Sequence, residues 1–219
     1  MLDRQSIEWA RTDSSDPWRV GDAVLYRLCR EQPAHSDQAT VIAKLWLVGR
    51  AYAAPIERRS KKAEPGTPTH GSYYCAAADA VIDSDLDGRL ELLRARTAAQ
   101  LVDFETSIQV HAHLLAALKR VSGTVHRSFA SKYLHFHLPD WFFILDAIAS
   151  RGLSSECGRE RPPKHLAPGG DPEYRSFVGR AWLLRERLAA DAPPRLTLRQ
   201  LDRLLLSRGA QQGLMLPRE

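Results

Sequence analysis

Lys132, Asp146, His135 and His137 fall within one aromatic-rich stretch, Val121 to Leu153 (VSGTVHRSFASKYLHFHLPDWFFILDAIASRGL). An amine such as Lys132 can attack an electrophilic carbon or hold a phosphate. A carboxylate such as Asp146 can stabilise a developing cation or activate water. The stretch reads as a turn, a helix, a break at Pro139 and a second helix that opens at Asp146. Asp146 therefore also suits an N-cap, and the two roles are compatible. His135 and His137 stand two apart on a helix and diverge, so they form no metal pair. Trp141, Phe142 and Phe143 read as core, and the bland reading of Lys132 is a solvated helix lysine.

The turn Val121-Ser122-Gly123-Thr124-Val125-His126-Arg127-Ser128 has the shape of a hairpin whose glycine lets a phosphate approach main-chain N–H groups. This segment resembles the helix-hairpin-helix DNA glycosylase superfamily, whose hairpin runs roughly L-P-G-V-G-x-K-T. That superfamily places an essential Asp downstream, opening a helix of the type V-D-T-H-V-x-R. The matching stretch here is Ile144 to Arg151, and Arg127 stands 19 positions before Asp146. The resemblance implies DNA contacts at Gly123, Thr124, Arg127, Ser128 and Arg151. Two departures stand out. Val125 replaces the second hairpin glycine, and Arg127 replaces the lysine; a guanidinium forms no Schiff base. The nucleophile is then Lys132 in a shifted frame, or water. Five residues turn a helix by about 500°, so Arg127 and Lys132 cannot face one site together.

SFASKYLHFHLPDWFFILDAIA and GRAYAAPIERR (Gly49 to Arg59) are also similar to bacterial proteins with an 8-oxoguanine-DNA-glycosylase-like fold, as is the closing R-x-L-D-x-x-L of Arg199, Leu201 and Asp202. Some members of that group look like genome-surveillance or antiphage proteins that act on modified DNA. The likeness implies one pocket surrounded by Ser131, Lys132, His135, His137 and Asp146, with Asp146 and Lys132 catalytic and the others contacting DNA. Leu145 and Ala147 stand where the group has Tyr and Ser. The expectation is a DNA glycosylase that flips and excises a damaged or modified base from double-stranded DNA, in repair or defence, without metal or cofactor. The alternatives are a non-catalytic DNA-binding or interaction module on the same fold, and a defence adaptor that touches no DNA.

The rest of the chain must position these residues. Its 219 residues fit a single domain. From residue 151 onward there are 13 Lys+Arg against 8 Asp+Glu, whereas residues 1–150 balance at 18 of each. The net charge of +5 thus belongs to the C-terminal third, which suits a polyanion or merely a solvated basic surface. Cys29, Cys75 and Cys157 are scattered and odd in number, as expected of reduced thiols in a cytoplasmic protein. No apolar run suits a membrane span, and the polar, acidic N-terminus does not read as a signal peptide. Asp83 to Gly88 copies the first half of a calcium loop, but Arg94 occupies the position of the bidentate Glu. It reads better as an acidic turn capping a helix.

Periodicity predicts an all-α, compact multi-helix domain with a helix-hairpin-helix-like core spanning 1–219: a helical subdomain at 16–120, then the hairpin and basic helices at 121–219. Asp16-Pro17 opens a helix to about Arg30. His35-Ser36-Asp37 opens another, striped by Val41, Leu45, Val48 and Tyr52 and ending near Pro55 or a turn beyond, as IERR. Glu57 in that turn reads as an ion-pair partner of an arginine that braces the pocket. Residues 60–70 and 154–171 read as flexible loops. Short helices cover Gly71 to Ile82 and Leu86 to Ala95. A long helix near 98–120 carries the seam Leu101, Phe104, Ile108, His111, Leu115 and Leu118, with His111 as a satisfied core histidine. Asp171-Pro172 caps a helix striped by Tyr174, Phe177, Ala181, Leu184 and Leu188. Thr197 and Gln200 form a capping box for the last helix, with Arg199 and Arg203 on its outer face. The count is seven to nine helices.

Overall fold

The computed structural model describes residues 2–12, 17–56, 70–98, 100–158, 160–163, 166 and 168–215. Among them are ten α-helices and no strand: α1 (Arg4–Arg11), α2 (Pro17–Glu31), α3 (Gln38–Ala51), α4 (His70–Ile82), α5 (Leu86–Arg94), α6 (Phe104–Ser122), α7 (Arg127–His137), α8 (Ala147–Cys157), α9 (Pro172–Asp191) and α10 (Leu198–Met215). No described helix is long and apolar enough to cross a membrane.

Local chemistry sets most boundaries. Asp37 accepts from the Thr40 N–H, and Asp171 accepts from the Tyr174 N–H with Pro172 at the first helical position. Thr197 and Gln200 cap each other reciprocally, each side chain accepting from the other's N–H. Several features differ from the sequence expectation. Helix α1 reads as polar, yet Asp3 caps it through the Ser6 N–H and it buries Ile7 and Ala10. Helix α3 stops at Ala51 rather than near Pro55, because Ala53 turns into the left-handed region at φ 50°. Helix α8 continues through 154 to Cys157, where Glu156 is held by Arg208 at 2.5 Å and by the Leu2 N–H at 3.0 Å. The expected long helix begins as a 3₁₀ turn, Leu101–Asp103, before α6. The acidic turn at 83–88 also differs: Asp85 opens α5 at φ 55° without a capping bond, and Asp87 is bound instead to the His35 N–H and Nδ1. Asp16, the turn Glu57-Arg58-Arg59 and nearly all of the 60–70 segment lie outside the described residues.

Two apolar cores form. The first gathers α2 to α5, the middle of α6, and α7 with its trailing Trp141 and Phe142. The second gathers α1, the start of α6, Phe143, and α8 to α10. The Phe142–Phe143 peptide therefore steps from one core to the other, and Asp146 follows directly. Helices α8 and α10 meet almost backbone to backbone. A Cβ on Gly152 would lie 2.1 Å from the Leu205 carbonyl oxygen, and one on Gly209 would lie 2.0 Å from that of Ile148.

Candidate active site

A cavity of about 1340 Å³ opens where the two cores adjoin. Its wall combines α1, α2, the Ala51–Pro55 turn after α3, the α6–α7 hairpin, the start of α8, and one face of α10. Lys132 and Asp146 both line it. Lys132 projects from α7, donating to the Tyr52 carbonyl at 3.0 Å and meeting Asp146 Oδ2 at 3.0 Å. Asp146 uses its other oxygen to cap α8, accepting from the Ile148 and Ala149 N–H groups at 2.9 and 2.8 Å. Its carboxylate thus has one oxygen for the fold and one for the site. Both side chains are largely shielded from solvent.

Ser131 fixes the geometry of this pair. Its buried hydroxyl accepts from the Leu145 N–H at 3.0 Å and lies 3.2 Å from the Leu145 carbonyl, so α7 is clamped to the residue before Asp146. His135 holds the same connection one turn further along. Its Nδ1–H donates to the Phe142 carbonyl at 2.8 Å, which leaves Nε2 to accept from the Tyr26 hydroxyl at 2.6 Å. Burial pushes its pKa down to about 3, against the pull of that carbonyl. His137 is buried elsewhere in the first core, stacked on His35 with ring centroids 4.7 Å apart. Neither histidine lines the cavity. The hydrophobic frame around them explains this: both sit on α7 turns that face Tyr26, His35 and Tyr133.

The hairpin residues separate from one another. Gly123 ends α6 at φ 69°, where its missing Cβ is required. Its N–H donates to the Lys119 carbonyl, and the Thr124 N–H donates to Ser122 Oγ. Those two donors are therefore engaged inside the hairpin. Arg127 reaches the edge of the same cavity as Lys132, against the expectation that only one of the two would face it, but is held by Asp171 at 2.8 Å and Glu173 at 2.9 Å, which tie α7 to the start of α9. Burial alone would raise the Asp171 carboxyl; the Arg127 and Tyr174 hydrogen bonds hold it below its ordinary value. Ser128 lines the cavity, while Arg151 is exposed and stands apart from its lining. His111 is a core residue, stacked on Tyr174 at 3.7 Å and held by burial at a pKa of about 4. Trp141, Phe142 and Phe143 are buried.

A second polar cluster lines the same cavity. Tyr52 donates its hydroxyl to Asp22, Arg199 bridges Asp22 at 2.7 Å and Asp202 at 2.5 Å, and Asp202 is 2 % exposed. Arg199 thus turns inward, not to the outer face expected for it, because two carboxylates there require a partner. Burial raises the Asp202 carboxyl to about 7, and the Asp146 charge adds to that rise, against the opposing charges of Arg199 and Lys132. Arg199 and Asp202 belong to a stretch already marked by resemblance. Asp22 and Trp9 carried no sequence signal, being single polar or aromatic residues on amphipathic helices.

The arrangement offers one cation–carboxylate pair, a buried carboxyl with a raised pKa and an adjoining arginine, around a space large enough for a nucleotide. No family profile, curated protein or solved structure matches this chain.

Proposed function

We propose that this protein is a DNA glycosylase of the helix-hairpin-helix type that takes a flipped, modified nucleotide into the cavity and cleaves its base from the sugar. The observation that carries this reading is the contact between Lys132 and Asp146 at 3.0 Å inside the cavity. The motif resemblance requires these two residues to share a pocket, although 14 positions and a proline break separate them. The cavity is at or above the roughly 300–1,000 Å³ of ordinary ligand pockets, which suits a nucleotide with part of its strand.

In this reading the C1′–N bond breaks, the base leaves with the bonding pair, and positive charge develops on the sugar. Lys132 passes a proton to Asp146 Oδ2 and its neutral amine forms the new bond to C1′ as the base leaves; the departing base takes that proton from Asp146, whose restored carboxylate then faces the cationic amine–sugar adduct. Arg127, committed to Asp171 and Glu173, takes no part in that step.

The test is Asp146→Asn on a modified-base duplex. An Asn oxygen still caps α8, so the fold is expected to persist while the carboxylate charge is lost. Base release should fall by at least two orders of magnitude with duplex affinity within a few-fold of the original. Undiminished release would sink the assignment. A second reading, a binding module without chemistry, is favoured by the Lys132 ammonium being occupied by both Asp146 and the Tyr52 carbonyl. Borohydride trapping of a Lys132–DNA adduct would exclude it.

A further inference from the structure

Trp9 is among the few large apolar side chains left open, at 47 % exposure, and it lines the same cavity as Lys132 and Asp146. It does not belong to any motif singled out above. Helix α1 is anchored beneath it by Ile7 and Ala10 in the second core and by contacts with α10. The indole is thus on a fixed element and not a frayed terminus. Arg203 of α10 sets the ring from one side: its guanidinium lies 5.3 Å from the ring centroid and also donates to the Ala10 and Thr12 carbonyls, at 3.3 and 3.1 Å. Arg19 and Arg203 line the cavity alongside it.

A half-exposed indole at the edge of a cavity presents a flat apolar face to whatever enters it. The neighbouring cations suit a polyanion, and the flat indole suits a planar ring, a combination that single-stranded nucleic-acid sites use. We propose that Trp9, with Arg203 behind it, is a stacking platform for a nucleobase of the bound strand at the cavity entrance, so that it determines affinity for unpaired nucleotides. This rests on the DNA reading above but not on the chemistry at Lys132. The occupant is a base attached to its phosphate backbone: the ring takes the open face of the indole, and the positive field of Arg19 and Arg203 at the cavity edge favours the phosphates.

Binding of a fluorescein-labelled 21-base-pair duplex carrying one central mismatch, and of its fully paired counterpart, tests this with Trp9→Leu and Trp9→Phe in the full chain. Trp9→Leu keeps apolar bulk but removes the π-face; Trp9→Phe keeps a ring. Stacking on one base corresponds to roughly a 5- to 140-fold change in affinity. The expected result is a loss of that size for Trp9→Leu on the mismatched duplex, a much smaller loss for Trp9→Phe, and little change for either on the paired duplex. Equal affinity of Trp9→Leu and the native protein for the mismatched probe overturns the proposal. So does an equal loss for both variants, or no binding by the native chain. Circular dichroism confirms that each variant retains its helices, so a folding defect is read separately. If native protein binds with this pattern but releases no base from any duplex, the platform stands and the glycosylase reading falls. If base release is intact while Trp9→Leu binds normally, the reverse holds.

Discussion

Asp146 serves the fold and the candidate site with different oxygens, which is why a short polar side chain at this position is so constrained. Glu would move the capping oxygen, and Ala would remove it. Arg199 is the other residue with a double duty, holding Asp22 and Asp202 together across 180 positions of chain, from α2 to α10. Removing it leaves two shielded carboxylates without their cation. Arg199→Ala is therefore expected to lower stability by about 3 kcal/mol, measured by urea denaturation. The partial exposure of Arg199 sets this at the lower end of the range for broken buried pairs. A change under about 0.5 kcal/mol would mean that the bridge contributes nothing to the fold. Lys132 and Asp146, which meet in the cavity, were legible in the sequence as a pair because a motif of ordered residue types marks them. Asp22 was not, because a single Asp on a helix is indistinguishable from a solvated one until α10 is packed against it.

At the level of elements, the site depends on how closely α8 and α10 approach, since Asp146 opens one and Arg199, Asp202 and Arg203 lie on the other. Gly152 and Gly209 allow that approach. Gly152→Ala places a methyl group 2.1 Å from a carbonyl oxygen that cannot rotate away. A loss of about 2–3 kcal/mol in stability is expected, together with reduced base release, as α10 is pushed outward. Gly21→Ala is the control: it lies within α2 with nothing within 4 Å of the added Cβ, and should raise stability by about 0.5–1 kcal/mol. Thermal melts of the two variants check both signs. Helix identity and most caps followed from Asp, Thr and Pro placements because capping is local chemistry. The end of α3, the length of α8 and the existence of α1 did not. Each is decided by a distant partner or a left-handed residue: Ala53, the Arg208–Glu156 pair, and the second core. The two His of α7 were misplaced for a similar reason, since a motif records that residues recur together without saying which face each occupies.

Across the whole molecule, buried histidines set the response to acid. Burial lowers His35, His111, His135 and His137, the first against its Asp87 partner. In the unfolded chain each titrates near 6.5, so protons bind the unfolded state first. Their stabilisation is full above 6.5 and is lost as pH falls below it, by up to about 1.4 kcal/mol per unit for each histidine. Asp202 acts with the opposite sign. Its folded value of about 7 lies above the unfolded 3.8, so its contribution is full below 3.8 and lost as pH rises through 7. Asp87 and Asp171, lowered in the fold, add to the loss only below about 3.8. Four histidines outweigh one carboxyl, so the melting temperature should fall steadily from pH 7 to pH 5. A melting temperature unchanged over that interval would contradict the burial of these rings.

Base excision at Asp146 is read most directly as the number of abasic sites formed in genomic DNA from phages with modified and unmodified bases, incubated with native protein or with Asp146→Asn. A glycosylase that works through Asp146 produces abasic sites in at least one modified genome, few in unmodified DNA, and none above background with Asp146→Asn. Equal counts for native protein and Asp146→Asn, or background counts on every genome, would contradict it.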